Sequence, residues 1–395
     1  MRRWRFFFDC NSGKKSADHR NCSTPFVDFL VVSPTIWLPT EFPQIPVSHF
    51  PNPPMTSSED RSFTNDLFVG VDVGGTNIKL GIVRDDGTVV AHSAFSTCQE
   101  KGPDDAFRRT REQLDQLVSR YAIDRRQICA AGLGTPGPMN IPTGMILEPV
   151  NMPGWKNFPV RDRLAEHIQM PVWYTNDANA AAFGEYWAGA GKSFSSMVLF
   201  TLGTGVGGGI IVDDMTIEGS HSVGAELGHI CIDSSASALV CSCGQRGHLE
   251  AYAGAAGVLS RCQAGLELNP SSSLNGLKSD ELTPLAISNA ADEGDLFALE
   301  LIQKTAEHVA AGIALVAHVI DPEVFMIGGA MTFGGSESPV GRGFIDRMRQ
   351  KTREMVFPVI AADLKIDFAS LGSDAGFIGA AGIARSGFRR QNPAG

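Results

Sequence analysis

Asp177 stands where an apolar run, Val172-Trp-Tyr-Thr175, gives way to the small-residue stretch Asn176-Asp-Ala-Asn-Ala-Ala-Ala-Phe-Gly-Glu-Tyr-Trp187. The pattern reads as a strand followed by a helix, which places the carboxylate in the crevice where α/β sheets meet their ligands. Taken by itself the position favours a structural role, because Asp is among the residues best suited to cap a helix. The positive helix end is expected to lower the carboxylate's pKa and make it a weak base.

Glycine turns offer a second chemistry. Leu67-Phe-Val-Gly-Val-Asp-Val73 alternates as a strand does, Gly74-Gly75-Thr76 bends the chain, and Ile78, Leu80 and Ile82 resume the alternation. A turn with so little side-chain bulk lets backbone N–H groups approach an anion. Asp72, just before it, could hold a hydrated Mg²⁺ ion, and Asn77 and Lys79 add polar reach. Alone, this hairpin is equally an ordinary β-turn. A second copy, Thr201-Leu-Gly203-Thr204-Gly205-Val-Gly-Gly-Gly-Ile-Ile-Val212, shifts the balance, since without a gap Gly74 falls on Gly203 and Ile82 on Ile211. Two such units predict two related lobes sharing one nucleotide triphosphate. A third strand, Val324-Phe-Met-Ile327, runs into Gly328 and Gly329, which could lie against an adenine or simply join strand to helix. Gly191-Lys192-Ser193 imitates the end of a P-loop but follows a helix and lacks the upstream glycine.

The densest cluster is Glu226-Leu-Gly-His229 followed by Cys241-Ser-Cys243-Gly-Gln-Arg-Gly-His248-Leu-Glu250. His229, Cys241, Cys243 and His248 suit a tetrahedral, structural Zn²⁺ with no open position. Two thiols and two surface histidines without metal are the alternative. A metal pinning both histidines would fix their directions between Glu226 and Glu250.

The elements that must position these groups follow in order. Residues 1–65 are broken by Pro25, Pro34, Pro39, Pro43, Pro46, Pro51, Pro53 and Pro54. They are expected to be a disordered extension, or a misassigned reading frame upstream of a true start at Met55. Asp9 and the polar run after it cut the opening apolar residues too short for a signal peptide. A helix is expected around Asp104 to Tyr121 and a buried strand at Ile128 to Leu133. The loop Glu148 to Trp155 carries Asn151, both donor and acceptor. Asp295 to Ile320 reads as a buried helix, and Gly343 to Val356 also looks helical. Ser373 to Ala384 is a small-residue helix able to pack closely, returning to the first lobe.

At 395 residues the chain has room for two domains. Its net charge of −10 argues against general binding to nucleic acid or anionic membranes, so a phosphate ligand must be held by local N–H groups and a metal. The 8 cysteines are scattered apart from one pair, which fits a reducing cytoplasm better than a disulfide framework. No apolar run is long enough to span a membrane.

On Asp72-Val-Gly-Gly-Thr-Asn77, Thr201-Leu-Gly-Thr-Gly205, Asn176-Asp177, Glu226-Leu-Gly-His229 and the Cys-x-Cys-Gly element, residues 67 to about 385 resemble the ROK family of sugar kinases and repressors, its bacterial glucokinases above all. The resemblance implies an α/β, two-lobed, actin-like ATPase (ribonuclease H-like) fold with an inter-lobe cleft. Residues 66–177 plus about 373–388 would form the small lobe, and 178–372 the large lobe with a zinc element at 226–250. It implies Asp177 as catalytic base. Asn151, Asn176, Asp177, Glu226, His229 and Glu250 would contact the sugar. Asp72, Gly74, Gly75, Thr76, Asn77, Lys79, Thr201, Gly203, Thr204 and Gly205 would serve the phosphates, and Gly328 and Gly329 the adenosine. The implied ligands are ATP, Mg²⁺, a hexose phosphorylated at its 6-hydroxyl and a structural Zn²⁺, in a homo-oligomer (dimer or tetramer). One departure is His248, where the family usually has a third Cys; metal binding is expected to survive it. The alternatives are an N-acetylmannosamine, fructose or mannose kinase, a polyphosphate-dependent enzyme, and a sugar-responsive repressor. The repressor would need a basic DNA-reading helix pair near the N-terminus, where this chain is proline-rich.

Overall fold

The computed structural model describes residues 66–149 and 152–393. The N-terminal expectations for residues 1–65 therefore lie outside the described residues, and so does Asn151.

Two five-stranded sheets share one topology. In the first, β1 (Leu67–Val73), β2 (Asn77–Arg84) and β3 (Val89–Ser96) form an antiparallel meander. β4 (Ile128–Thr135) then runs parallel to β1. A short hairpin of β5 (Met139–Asn140) and β6 (Met145–Ile146) precedes β7 (Val172–Asn176), and the strand order is β3-β2-β1-β4-β7. The second sheet repeats this with β8 (Ser196–Leu202), β9 (Val206–Val212), β10 (Met215–Thr216), β11 (Val324–Gly328) and β12 (Ile366–Phe368), in the order β10-β9-β8-β11-β12. The repeat seen in the glycine hairpins thus extends over whole sheets. Its registers differ by one residue, because Val73 pairs with Ile78 whereas Leu202 pairs with Val206.

Helices α1 (Gly102–Arg120) and α2 (Val160–Ile168) bury Phe107, Leu114 and Leu164 in the core of the first sheet, with Trp155 among them. α3 (Asp177–Ala188) leads into the second half, and α4 (Glu250–Ala253) and α5 (Ala255–Leu266) follow the cysteine element. α6 (Pro284–Asp292), α7 (Leu296–Ile320), α8 (Pro339–Met355) and α9 (Pro358–Asp363) complete that half, whose core includes Phe200, Ile313, Phe325 and Phe344. α8 starts before the Gly343 expected from sequence. Ser338 Oγ accepts the N–H groups of Val340 and Gly341, and Pro339 occupies the first turn, so the cap sets the start.

α10 (Ala375–Gln391) then returns to the first sheet. A Cβ on Gly70 of β1 would lie 1.7 Å from Phe377 O, and one on Gly379 would lie 1.6 Å from Ala180 O of α3. Backbone meets backbone at both places, which only residues without a side chain permit. Glu185 of α3 fixes the crossing. Its buried carboxylate accepts the N–H groups of Leu371 (2.6 Å), Ser370 (2.9 Å) and Ala190 (3.1 Å). Among the described residues no helix is long and apolar enough to cross a membrane.

Candidate active site and metal element

Asp72, Gly134 and Thr175 lie side by side at the carboxyl ends of β1, β4 and β7, and Asp177 follows β7 directly. Asn176 is the residue that caps α3. Its Oδ1 accepts the N–H of Ala178 at 2.8 Å and of Asn179 at 3.4 Å. Capping by its neighbour leaves Asp177 available for chemistry, and its Oδ1 also accepts the Ala178 N–H at 2.8 Å. The amide nitrogen of Asn176 faces the Gly137 loop.

The expected lowering of the Asp177 pKa is overturned. Burial pushes it up to about 7, with the charges of Asp72 and Glu226 adding to the rise and the Ala178 N–H opposing it. Desolvation and like charge outweigh the helix end. Asp72 is also raised by burial, to about 6, against the pull of Lys79. A Cβ on Gly376 would meet Asp72 Oδ2 at 2.3 Å, so the first turn of α10 closes over that carboxylate. Lys79 donates to Ser373 O and pairs with Asp374 at 3.4 Å, which places its ammonium beside the approach to α10.

In the first hairpin the Gly74 N–H is consumed within the turn, donating to Asn77 O at 2.9 Å, so that amide is not offered to a phosphate. The carbonyls are tied back: Thr97 Oγ1 donates to Gly74 O at 2.6 Å and Gln99 Nε2 to Gly75 O at 2.6 Å. A trans peptide points its N–H opposite to its carbonyl. The N–H groups of Gly75 and Thr76 therefore face away from the Thr97–Gln99 segment, as an anion cradle requires. Thr97 and Gln99 escaped sequence reasoning, since nothing in their spacing joins them to a turn 23 and 24 residues upstream.

The second hairpin is held by different means. The Ala255 N–H donates to Gly203 O at 2.9 Å, which turns the Thr204 N–H outward. Gly203 donates its own N–H to Gly205 O at 3.0 Å. Thr201 pairs with Gly328 across β8 and β11. Gly329 has φ +90°, and a Cβ there would lie 2.2 Å from Leu202 O, so the third glycine turn rests against the base of the second hairpin. A Cβ on Gly207 would meet Thr201 Oγ1 at 2.6 Å and Ala178, beside Asp177, at 3.3 Å, which sets α3's first turn against β9 close to that hairpin.

Glu226 precedes and His229 ends a short turn, Leu227–His229, packed against β9. Burial raises the Glu226 pKa, His229 lowers it and Glu250 raises it. Asp177, Glu226, His229 and Glu250 thus form one electrostatic neighbourhood. Glu250 also makes bonds not foreseen: Oε2 accepts the Val206 N–H at 3.1 Å and Oε1 accepts the Ser242 hydroxyl at 2.5 Å.

His229, Cys241, Cys243 and His248 come together, with one ligand atom from each within 4.8 Å of the others. His229 Nδ1 lies 3.7 Å from Cys241 Sγ, and His248 Nδ1 lies 3.2 Å from Cys243 Sγ. Around a tetrahedral zinc, ligand atoms are spaced about 3.4–3.8 Å apart, so the set fits the ion with a small contraction. His248 is one of the four, so it could serve as a ligand.

The ROK family profile matches residues 68–386. A glucokinase of Halalkalibacterium halodurans is 35% identical over 314 residues, 79% of this chain and 93% of that protein. Among solved structures, the ROK hexokinase of Thermus thermophilus superposes with TM-score 0.69 at 27% identity, over 82% of this chain and 99% of the other. A ROK family glucokinase from Streptomyces griseus, in complex with glucose and AMPPNP, superposes with TM-score 0.64 at 30% identity, over 81% of this chain and 99% of the other.

Proposed function

The chain belongs to the ROK family, and on that premise we propose that it transfers the γ-phosphoryl group of ATP to the 6-hydroxyl of a hexose, glucose before others. The observation that carries this reading is the place of Asp177: a carboxylate with pKa about 7, beside Asp72 and Glu226, at the head of a helix packed against the second glycine hairpin. A base poised near neutrality is matched to accept a hydroxyl proton.

In the mechanism, Glu226, Glu250, His229 and the Asn176 amide orient the sugar through its hydroxyls, and Asn151 joins them by resemblance. A site built from such groups rejects analogues that leave one unpaired. Asp177 accepts the 6-hydroxyl proton as that oxygen attacks the γ-phosphorus and ADP leaves. The transition state is loose, so positioning and charge neutralisation carry most of the rate. The outward N–H groups of Gly75, Thr76 and Thr204 supply part of that neutralisation from both hairpins. Asp72 is the residue that would hold a Mg²⁺ ion, whose charge would supply the rest. Zn²⁺ on His229, Cys241, Cys243 and His248 would stiffen the segment that carries Glu226, His229 and Glu250. The Gly328–Gly329 turn would lie under the adenosine.

Cys98, Cys231, Cys241, Cys243 and Cys262 are thiols, in keeping with a reducing cytoplasm. A coupled assay of the purified chain with ATP against glucose, mannose, fructose and N-acetylmannosamine tests the proposal. Highest kcat/KM for glucose is expected. No ADP release with any hexose, or turnover with polyphosphate in place of ATP, would sink it.

A further inference from the structure

A cavity of about 460 Å³ is walled by α3, α10 and the turn between β9 and β10. None of its residues belongs to the phosphate, sugar or metal groups above. Its volume falls within the range of small-molecule sites.

The walls differ in chemistry. Phe183, Tyr186 and Trp187 make an aromatic floor. Along α10 stand Arg385, Arg389 and Arg390. Arg385 lies over the Trp187 ring at 5.5 Å and pairs with Asp85 at 2.7 Å, and Arg389 pairs with Asp85 as well. Arg390 is exposed, its Nε donating to Ser386 O at 3.3 Å. Facing this basic wall are Asp213 and Asp214, both exposed, both at left-handed φ values of 48° and 60°. Tyr186 donates its hydroxyl to Asp214 Oδ1 at 2.8 Å and so holds that carboxylate at the rim. Glu218 lies within electrostatic reach of Arg390 on the acidic side.

We propose that this cavity binds a sugar phosphate as a second site, outside the candidate active site. The three surfaces match three parts of such a molecule. The exposed Arg390 guanidinium, which unlike Arg385 and Arg389 is not paired with Asp85, can take a phosphate in forked hydrogen bonds. Carboxylates accept from sugar hydroxyls. The C–H face of the ring packs on the aromatic floor. A free phosphate would leave the acidic wall without a donor and in repulsion. A neutral sugar would leave Arg390 unused. The position also suits regulation. The cavity touches the C-terminal halves of α3 and α10, the helices whose first turns carry Asp177 and close over Asp72. Its third wall belongs to the second sheet. A ligand there would tie the two halves together at their back.

Calorimetric titration of the full chain with glucose 6-phosphate tests this, with the candidate active site first saturated with glucose and a non-hydrolysable ATP analogue. One further binding event is expected. Arg390→Glu should weaken it at least tenfold and Asp214→Asn measurably, with kcat in the absence of sugar phosphate unchanged in both. Both residues are exposed, so the variants should fold, which their melting temperatures would verify. Absence of a further event, equal affinity in Arg390→Glu, or equal affinity for inorganic phosphate would each overturn the assignment. No turnover is needed, so the result stands apart from the kinase reading; if saturation of the active site fails, the Arg390→Glu comparison still decides.

Discussion

Glu250 Oε2 accepts the N–H of Val206 at 3.1 Å, so the helix that closes the cysteine element is pinned to the second glycine hairpin. Through Ser242 and Cys241, 2.5 Å and 3.6 Å from its other oxygen, the same carboxylate reaches the metal quartet. Metal binding at the quartet would thereby be coupled to hairpin geometry.

Removal of the metal should therefore affect both ligands, not the sugar alone. Chelation, or Cys241→Ser, is expected to abolish sugar binding, raise KM for ATP several-fold and loosen residues 226–250 in hydrogen exchange. Metal content by mass spectrometry must fall alongside. Unchanged KM for ATP and unchanged exchange after proven metal loss would dissociate the two elements.

The first hairpin depends on a clamp. Thr97→Val removes the 2.6 Å donor to Gly74 O while keeping the volume. A hydrogen bond of this kind is worth about 1 kcal/mol, so KM for ATP should rise about fivefold. Gln99→Ala should act likewise through Gly75 O. Steady-state kinetics should show the change in the ATP term, with KM for the sugar unaltered.

Much of this arrangement was legible in the residues. Strand alternation around Gly74 and Gly203 placed both hairpins, and the Cys-x-Cys spacing marked the cluster of His229, Cys241, Cys243 and His248. The small residues of α10 announced a close contact. What failed to show was long-range geometry. Thr97 and Gln99 meet the hairpin only because β3 runs back along β2, and the Gly74 amide is spent inside its own turn. The pKa of Asp177 went the wrong way because a helix end is visible in sequence, whereas desolvation and a neighbouring Asp72 are properties of the folded site.

Glu185 is expected to govern stability. Its carboxylate satisfies Ser370 and Leu371 where the chain passes from β12 to α10. Glu185→Ala would strand those N–H groups in a buried crossing, at a cost of about 2–5 kcal/mol. Chemical denaturation should register the loss. A midpoint within error of the parent would mean that water replaces the carboxylate.

Asp177→Asn separates chemistry from stability in opposite directions. As general base the carboxylate must be ionised, so kcat/KM in the parent should climb about tenfold per pH unit below about 7 and level off above it. A helix-lowered carboxylate would instead leave the profile flat down to about pH 4. The Asn variant should lose about 10²–10⁴-fold in kcat at pH 8 with sugar affinity nearly intact. Stability runs the other way. The folded pKa of about 7 exceeds the ordinary 3.8, so the folded state binds the proton more tightly than the unfolded chain. The penalty for burying the charge is absent below pH 4, grows as the pH rises towards 7, and is complete above it. Asn carries no such penalty, so its melting temperature should exceed the parent's at pH 8 and approach it at pH 4. A variant that is inactive and also less stable at pH 8 would show that Asp177 contributes a structural contact, and the raised pKa would lose its kinetic meaning.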